Sequence, residues 1–338
     1  MATPPNDIVP PNLEAEADDF ADGDSALGGD SFGSSTTSIE TSIMRHRHEN
    51  GRAYHSYKDE KYLVPNDEQE QERADLQHHF YLLTYDDKLS VIPDLKEKKF
   101  QRVLDIGTGT GIWAIDYADE HPEAKVLGID ISPDQPSYVP PNATFEIDDL
   151  EEPWHFSEKF DYIHSRMMTG SFANWPKFFE QAFEPVSLQN TASGGYIEVS
   201  DICFPVLTDD DTFPEDSALQ YWATQQLNGS KIIGRALDAA KNHQAELQRV
   251  GYTDVTVKHF IWPMNRWPRD PKYKELGMWN CENFTAGVSG FSMALFTRVL
   301  GWTPEQLEVF LVDVRKEMKD TRIHAYWPIY TTYARKPE

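Results

Sequence analysis

Short apolar runs that end in a carboxylate recur through the middle of the chain. Val103-Leu104 leads into Asp105, Val126 to Ile129 into Asp130, and Phe145 to Ile147 into Asp148-Asp149. Runs of this length suit buried parallel strands, both faces of which are covered. After the first run the spacing changes to that of a helix, with Ile112, Ile115 and Ala118 on one face. A fourth strand is predicted over 160–168. A helix then opens at Trp175-Pro176, carries Phe178, Phe179 and Ala182, and stops by Pro185; a fifth strand follows at 194–199. Ile233, Leu237, Ala240 and Leu247 mark another helix, stopped at Gly251 before a strand over 254–261. Strand and helix in alternation predict an α/β chain with a doubly wound, mostly parallel, Rossmann-like sheet.

Two segments fall outside that rhythm. Before it, Leu76, Phe80 and Leu83 form a helical stripe, with Asn66 as the expected N-cap and Gln69 as its capping-box partner. This helix is read either as a lid across the pocket edge or as an ordinary N-terminal packing helix. After it, 265–321 is rich in Trp, Met, Phe and Gly and holds Thr303-Pro304-x-Gln306, a second capping box with Pro at the first helical position. It predicts an inserted helical cap. A last strand is expected over 323–335, with Pro328 at an edge or bulge. The organisation expected is therefore a tail over 1–45, a segment with the lid helix over 46–100, and the main domain over 101–338 with its insertion at about 265–321.

The chemistry gathers at Asp105-x-Gly107-x-Gly109-x-Gly111, placed between the first strand and its helix. Glycines let the backbone turn tightly and approach a ligand, and the helix N-terminus supplies free N–H groups. Gly109-x-Gly111-x-x-Ala114 also satisfies a permissive dinucleotide fingerprint, so the glycines alone leave NAD open. Asp105 tips the balance, because a carboxylate there repels a pyrophosphate but attracts the sulfonium and ammonium of S-adenosylmethionine. Asp130 follows Gly109 by the spacing of an acid that accepts from ribose hydroxyls. Asp148 or Asp149, with Asp149 preferred, is positioned for the adenine amino group. His164 and Arg166 leave the fourth strand toward the methyl group and acceptor, against the ordinary alternatives of a structural His and a surface-paired Arg. His164 and His324 are the two candidate general bases, although neither sits in a diagnostic constellation.

Composition narrows the partners. Residues 1–42 carry nine acids and no Lys or Arg, which predicts a disordered tail. A formal charge of −25 argues against non-specific nucleic-acid binding, which needs clustered cations. Two cysteines, Cys203 and Cys281, give neither a disulfide framework nor a metal spacing, in keeping with a reducing compartment. Neither a membrane-spanning apolar run nor a secretory signal is read, so a cytoplasmic or nuclear location is expected.

On these residues the chain resembles class I S-adenosylmethionine-dependent methyltransferases and, more narrowly, the fungal LaeA-like methyltransferases. Four stretches carry the narrower resemblance: 49–57, 63–79, 103–122 and 168–176. The resemblance spans roughly 49–337 and implies a seven-stranded sheet whose last strand runs antiparallel between its neighbours. It further implies a small-molecule or protein methyl acceptor. Some members act with regulatory protein partners in nuclear or cytoplasmic complexes that govern development and secondary metabolism, others as tailoring enzymes of biosynthetic clusters. A cofactor-binding regulatory subunit with little catalysis of its own is the alternative. One departure bears on the acceptor: 185–195 is longer than the family's Leu-Lys-Pro-Gly-Gly turn and lacks the Lys-Pro pair.

Overall fold

The computed structural model describes residues 46–55, 61, 63–183 and 190–338. The acidic tail and residues 185–189 of the unusual loop before the fifth predicted strand lie outside them. The chain enters through a hairpin, β1 (His46–Glu49) and β2 (Arg52–His55), then α1 (Glu68–Thr84) and the single turn α2 (Leu95–Lys98). β3 (Arg102–Ile106), α3 (Ile112–Glu120), β4 (Lys125–Asp130), β5 (Ala143–Ile147), β6 (Phe160–Arg166), α4 (Trp175–Phe183) and β7 (Thr191–Ile202) form the alternating body. Next come α5 (Ala218–Ile232), α6 (His243–Val250) and β8 (Thr253–Pro263). The long helix α7 (Pro271–Arg298), α8 (Pro304–Lys319) and β9 (Tyr326–Arg335) complete it.

Seven strands make one sheet in the order β5-β4-β3-β6-β7-β9-β8. β9 alone is reversed, pairing antiparallel with both β7 and β8, as the family resemblance implies. The chain winds from β3 outward to β5 on one side and resumes at β6 on the other, so the switch point lies between β3 and β6. Loops leaving neighbouring strands in opposite directions open a crevice there.

Pro328 is not at an edge. It sits inside the sheet opposite Ile261, and its carbonyl accepts from Cys203 N at 2.9 Å. Its missing N–H lies on the same side, so the reciprocal bond to Cys203 O is absent and the pairing with β7 ends at Ile202 and Ile329.

Three further expectations shift. Asp67, not Asn66, caps α1: its side chain accepts from Glu70 N and also receives Arg52 at 2.6 Å. Asn66 instead donates to Ser132 Oγ across the pocket rim. The buried face of α1 runs through Gln77, Phe80, Tyr81 and Thr84, leaving Leu76 and Leu83 half-buried on its flanks. The helix expected from Ile233 is shorter, because Gly234 turns the chain at φ 72° and α6 starts only at His243.

Two packed regions hold the site between them. Leu104, Ile106, Ile163 and Ile197 pack with Phe178 and Phe179 on one side. At the other end, Trp222, Trp262 and Trp327 are fully buried among side chains of α5, α7, α8 and the ends of β8 and β9. Burying aromatics of this size is the main stabilisation available to the cap. The predicted capping box closes as read: Gln306 N donates to Thr303 Oγ1 at 3.2 Å and Thr303 N to Gln306 Oε1 at 2.9 Å. No helix among the described residues is long and apolar enough to cross a membrane.

Candidate active site

A cavity of about 340 Å³ opens at the carboxyl ends of β3, β4 and β6 and runs beneath α1, α5 and α7. Asp105, Gly107, Gly109, Asp130, Asp148, Asp149 and His164 all line it. Gly111 lies at the foot of the same loop as the N-cap of α3.

Asp105 and His164 are register partners on β3 and β6. The His164 Nδ1 lies 2.7 Å from Asp105 Oδ1, and Thr108 donates to Oδ2 at 2.6 Å. Asp105 is only 3% exposed, so it is held by two donors instead of standing free. The imidazole lies flat on Trp113, with ring centroids 3.6 Å apart and planes at 7°. Burial lowers the His164 pKa, partly offset by Asp105. The neutral ring therefore donates from Nδ1 to the carboxylate, which fixes its tautomer.

The glycine loop is clamped from both sides. Gly109 N donates to Asp130 Oδ2 at 2.9 Å, and Gln135 Nε2 donates to Gly109 O at 2.7 Å. Gly109 has φ +56°, and nothing lies within 4 Å of where a Cβ would sit, so this face of the loop is open. Gly111 starts α3 with no side-chain cap, leaving helix N-terminal amides for another acceptor. Asp130 also accepts from Ser132 N at 3.0 Å, and burial raises its pKa against the pull of those amides. Two amides use only part of the acceptor capacity of a carboxylate.

Asp148 and Asp149 differ in surroundings. Asp149 is buried and receives Lys61 at 2.6 Å and Glu151 N at 3.0 Å; Asp148 is exposed and accepts from Asp149 N at 2.8 Å. Arg166 reaches the cavity wall. It lies 4.6 Å over the Tyr81 ring and donates to His78 Nδ1 at 2.9 Å, while His78 Nε2 meets Asp116 at 3.0 Å. It is thus neither exposed nor paired at the surface.

His324 is not brought to the site. It pairs with Asp210 and packs on Trp267 at 5.0 Å, outside the cavity lining. Its position before β9, remote from the switch point, removes it as a general base for chemistry in this cavity.

Several cavity residues carried no sequence signal. Asp134 lines the rim, and burial together with the charge of Asp130 pushes its carboxyl up to about 6. Glu151 pairs with Arg235 at 2.8 Å, tying the loop after β5 to the segment after α5. Arg73 and Asn283 meet at 2.7 Å, joining α1 to α7 over the cavity. These partners are far apart in the chain and belong to no local motif. A polar residue interrupting an apolar helix face, as Asn283 does beside Phe284, was the one available hint.

The family model of a methyltransferase domain matches residues 35–257. Methyltransferase pytC of Aspergillus terreus is 37% identical over 305 residues, covering 90% of this chain and 92% of its own length. The probable methyltransferase tdiE of Emericella nidulans is 33% identical over 268 residues, 79% of this chain and 82% of its own. The secondary metabolism regulator LAE1 of Cochliobolus heterostrophus is 35% identical over 294 residues, 86% and 94% respectively.

Proposed function

The chain belongs to the methyltransferase family, and from that premise we propose that its cavity holds S-adenosylmethionine beside a small-molecule methyl acceptor under the helical cap. The residues present fit this cofactor. An uncapped helix N-terminus suits its carboxylate, and Asp105 with His164 lies beside the loop for its amino-acid part. Asp130 keeps acceptor capacity for ribose hydroxyls, and Asp148 and Asp149 edge the far side for adenine. When bound, the cofactor supplies a methyl group already activated on a sulfonium.

What remains for the protein is to orient and to exclude water. Thr108, His164 and Trp113 fix the Asp105 carboxylate, and Gln135 and Asp130 fix the loop above it. The Arg73–Asn283 contact ties the lid helix to the cap. Phe204, Phe284, Phe291 and Leu295 make the cap-side wall apolar, which suits a small organic acceptor better than a charged peptide.

The observation that carries the proposal is the in-register Asp105–His164 pair beside an uncapped helix start. Radiolabel transfer from S-adenosylmethionine in cell extract tests it. Label in a small-molecule fraction is the expected outcome; label only in protein would overturn the acceptor class. A regulatory role is the second reading, favoured by the 35% identity to a protein named a secondary metabolism regulator. That reading brings in heteromeric partners and a cytoplasmic or nuclear location, and it predicts cofactor binding with no labelled product.

A further inference from the structure

Asn283 lies in the middle of α7, is 1% exposed, and lines the cavity. Its orientation is dictated by its neighbour. Arg73 donates from Nη1 to Asn283 Oδ1 at 2.7 Å, and a guanidinium has only donors to offer, so the oxygen must face it. Arg73 is itself held by Glu70 at 2.6 Å and lies over the Phe291 ring at 4.9 Å, which prevents it from turning away. The other end of the amide, Nδ2, is buried and finds no acceptor among the described residues. A buried N–H without a partner costs stability, and such a group in a cavity wall is a donor waiting for a ligand.

Next to it on α7, Phe284 opens an apolar stretch of the cavity wall. Phe284 is stacked on Trp327 at 4.9 Å and meets Phe291 at 5.7 Å, and Leu295 and Phe204 continue the same wall. Gln226 of α5, which lines the same cavity, spends its Nε2 on Phe291 O and Ser292 Oγ. It therefore does not duplicate the free donor.

We propose that Asn283 Nδ2 recognises a hydrogen-bond-accepting oxygen, such as a carbonyl, on a mainly apolar methyl acceptor. The assignment rests on the proposed methyltransferase reading and specifies the acceptor class. Asn283 is a specificity residue here, and Arg73 and Glu70 position it. Loss of the oxygen from the acceptor leaves the donor orphaned in a dry wall, so discrimination between a ketone and its hydrocarbon is about tenfold.

The test uses the full chain with S-adenosylhomocysteine and two probes of near-equal shape, 1-indanone and indane, read by calorimetry. Wild type is expected to bind the ketone about tenfold more tightly than the hydrocarbon. Asn283→Asp keeps an oxygen for Arg73, so folding is retained, but replaces the donor by an acceptor. In this variant the preference disappears or reverses while S-adenosylhomocysteine affinity stays at the wild-type level. Equal binding of the two probes to wild type, no binding of either, or an unchanged preference in the variant overturns the assignment. So does a loss of S-adenosylhomocysteine affinity in Asn283→Asp, which would give the amide to the cofactor. Failure of wild type to bind S-adenosylhomocysteine at all is a different result: it removes the underlying cofactor reading as well.

Discussion

His164 and Asp105 face each other across β3 and β6 with Nδ1 2.7 Å from Oδ1, at the point where the strand order reverses. The carboxylate that the sequence reading assigned to the ligand is thus also a structural acceptor, taking Thr108 on its other oxygen. Asp105→Asn conserves volume but can no longer accept from both donors. Orphaning one of them costs about 1–3 kcal/mol, read as a lowered urea midpoint. Binding of S-adenosylhomocysteine, measured by calorimetry, is expected to fall at least tenfold, or about 1.4 kcal/mol. Wild-type affinity in this variant would remove Asp105 from the site.

Gly109 separates ligand contact from backbone strain. It has φ +56° with open space at the Cβ position, and so does Gly51 at the β1–β2 turn, with φ +76°. Each tolerates a side chain sterically at a strain of about 1–2 kcal/mol. Gly109→Val is expected to abolish cofactor binding with circular dichroism unchanged, whereas Gly51→Val loses comparable stability and keeps binding. Equal binding in the two variants contradicts an approach of the ligand to the loop.

Glu198 gives a pH dependence with a defined sign. It is fully buried on β7 and accepts from Ser90 Oγ at 2.6 Å and Val91 N at 3.1 Å. Burial pushes its carboxyl from 4.5 to about 7. Between those values the folded chain holds a proton that the unfolded chain has released, so this residue's contribution to stability falls as pH rises through the window. Glu198→Gln mimics the protonated form and removes the slope, gaining at most on the order of 3 kcal/mol at pH 8. Urea denaturation at pH 5 and pH 8 checks it; the same pH dependence in wild type and variant would refute the assignment.

β3 and β4, two of the strands that build the pocket, were legible because each is a short apolar run leading to an acid, Asp105 and Asp130. Burial on both faces of a parallel strand writes itself into the sequence without reference to distant residues. α7 was not legible as one helix. Ser292, Met293, Ala294, Leu295 and Phe296 are buried in succession, so the end of the helix has no polar face, and Gly277, Gly287 and Gly290 lower its propensity. Those glycines answer to tertiary contacts: a Cβ at Gly277 would lie 1.9 Å from Asn265 O. The N-cap of α1 was misassigned by one residue because Asn66 and Asp67 are both good caps, and only the ion pair with Arg52 decides between them. Likewise His324 was indistinguishable from His164 as a titratable group until the fold separated them.

Titration calorimetry of the full chain with S-adenosylmethionine and, separately, with NADH decides the cofactor assignment. Saturable one-site binding of S-adenosylmethionine and none of NADH is expected. Binding of NADH, or no heat from S-adenosylmethionine, overturns the assignment.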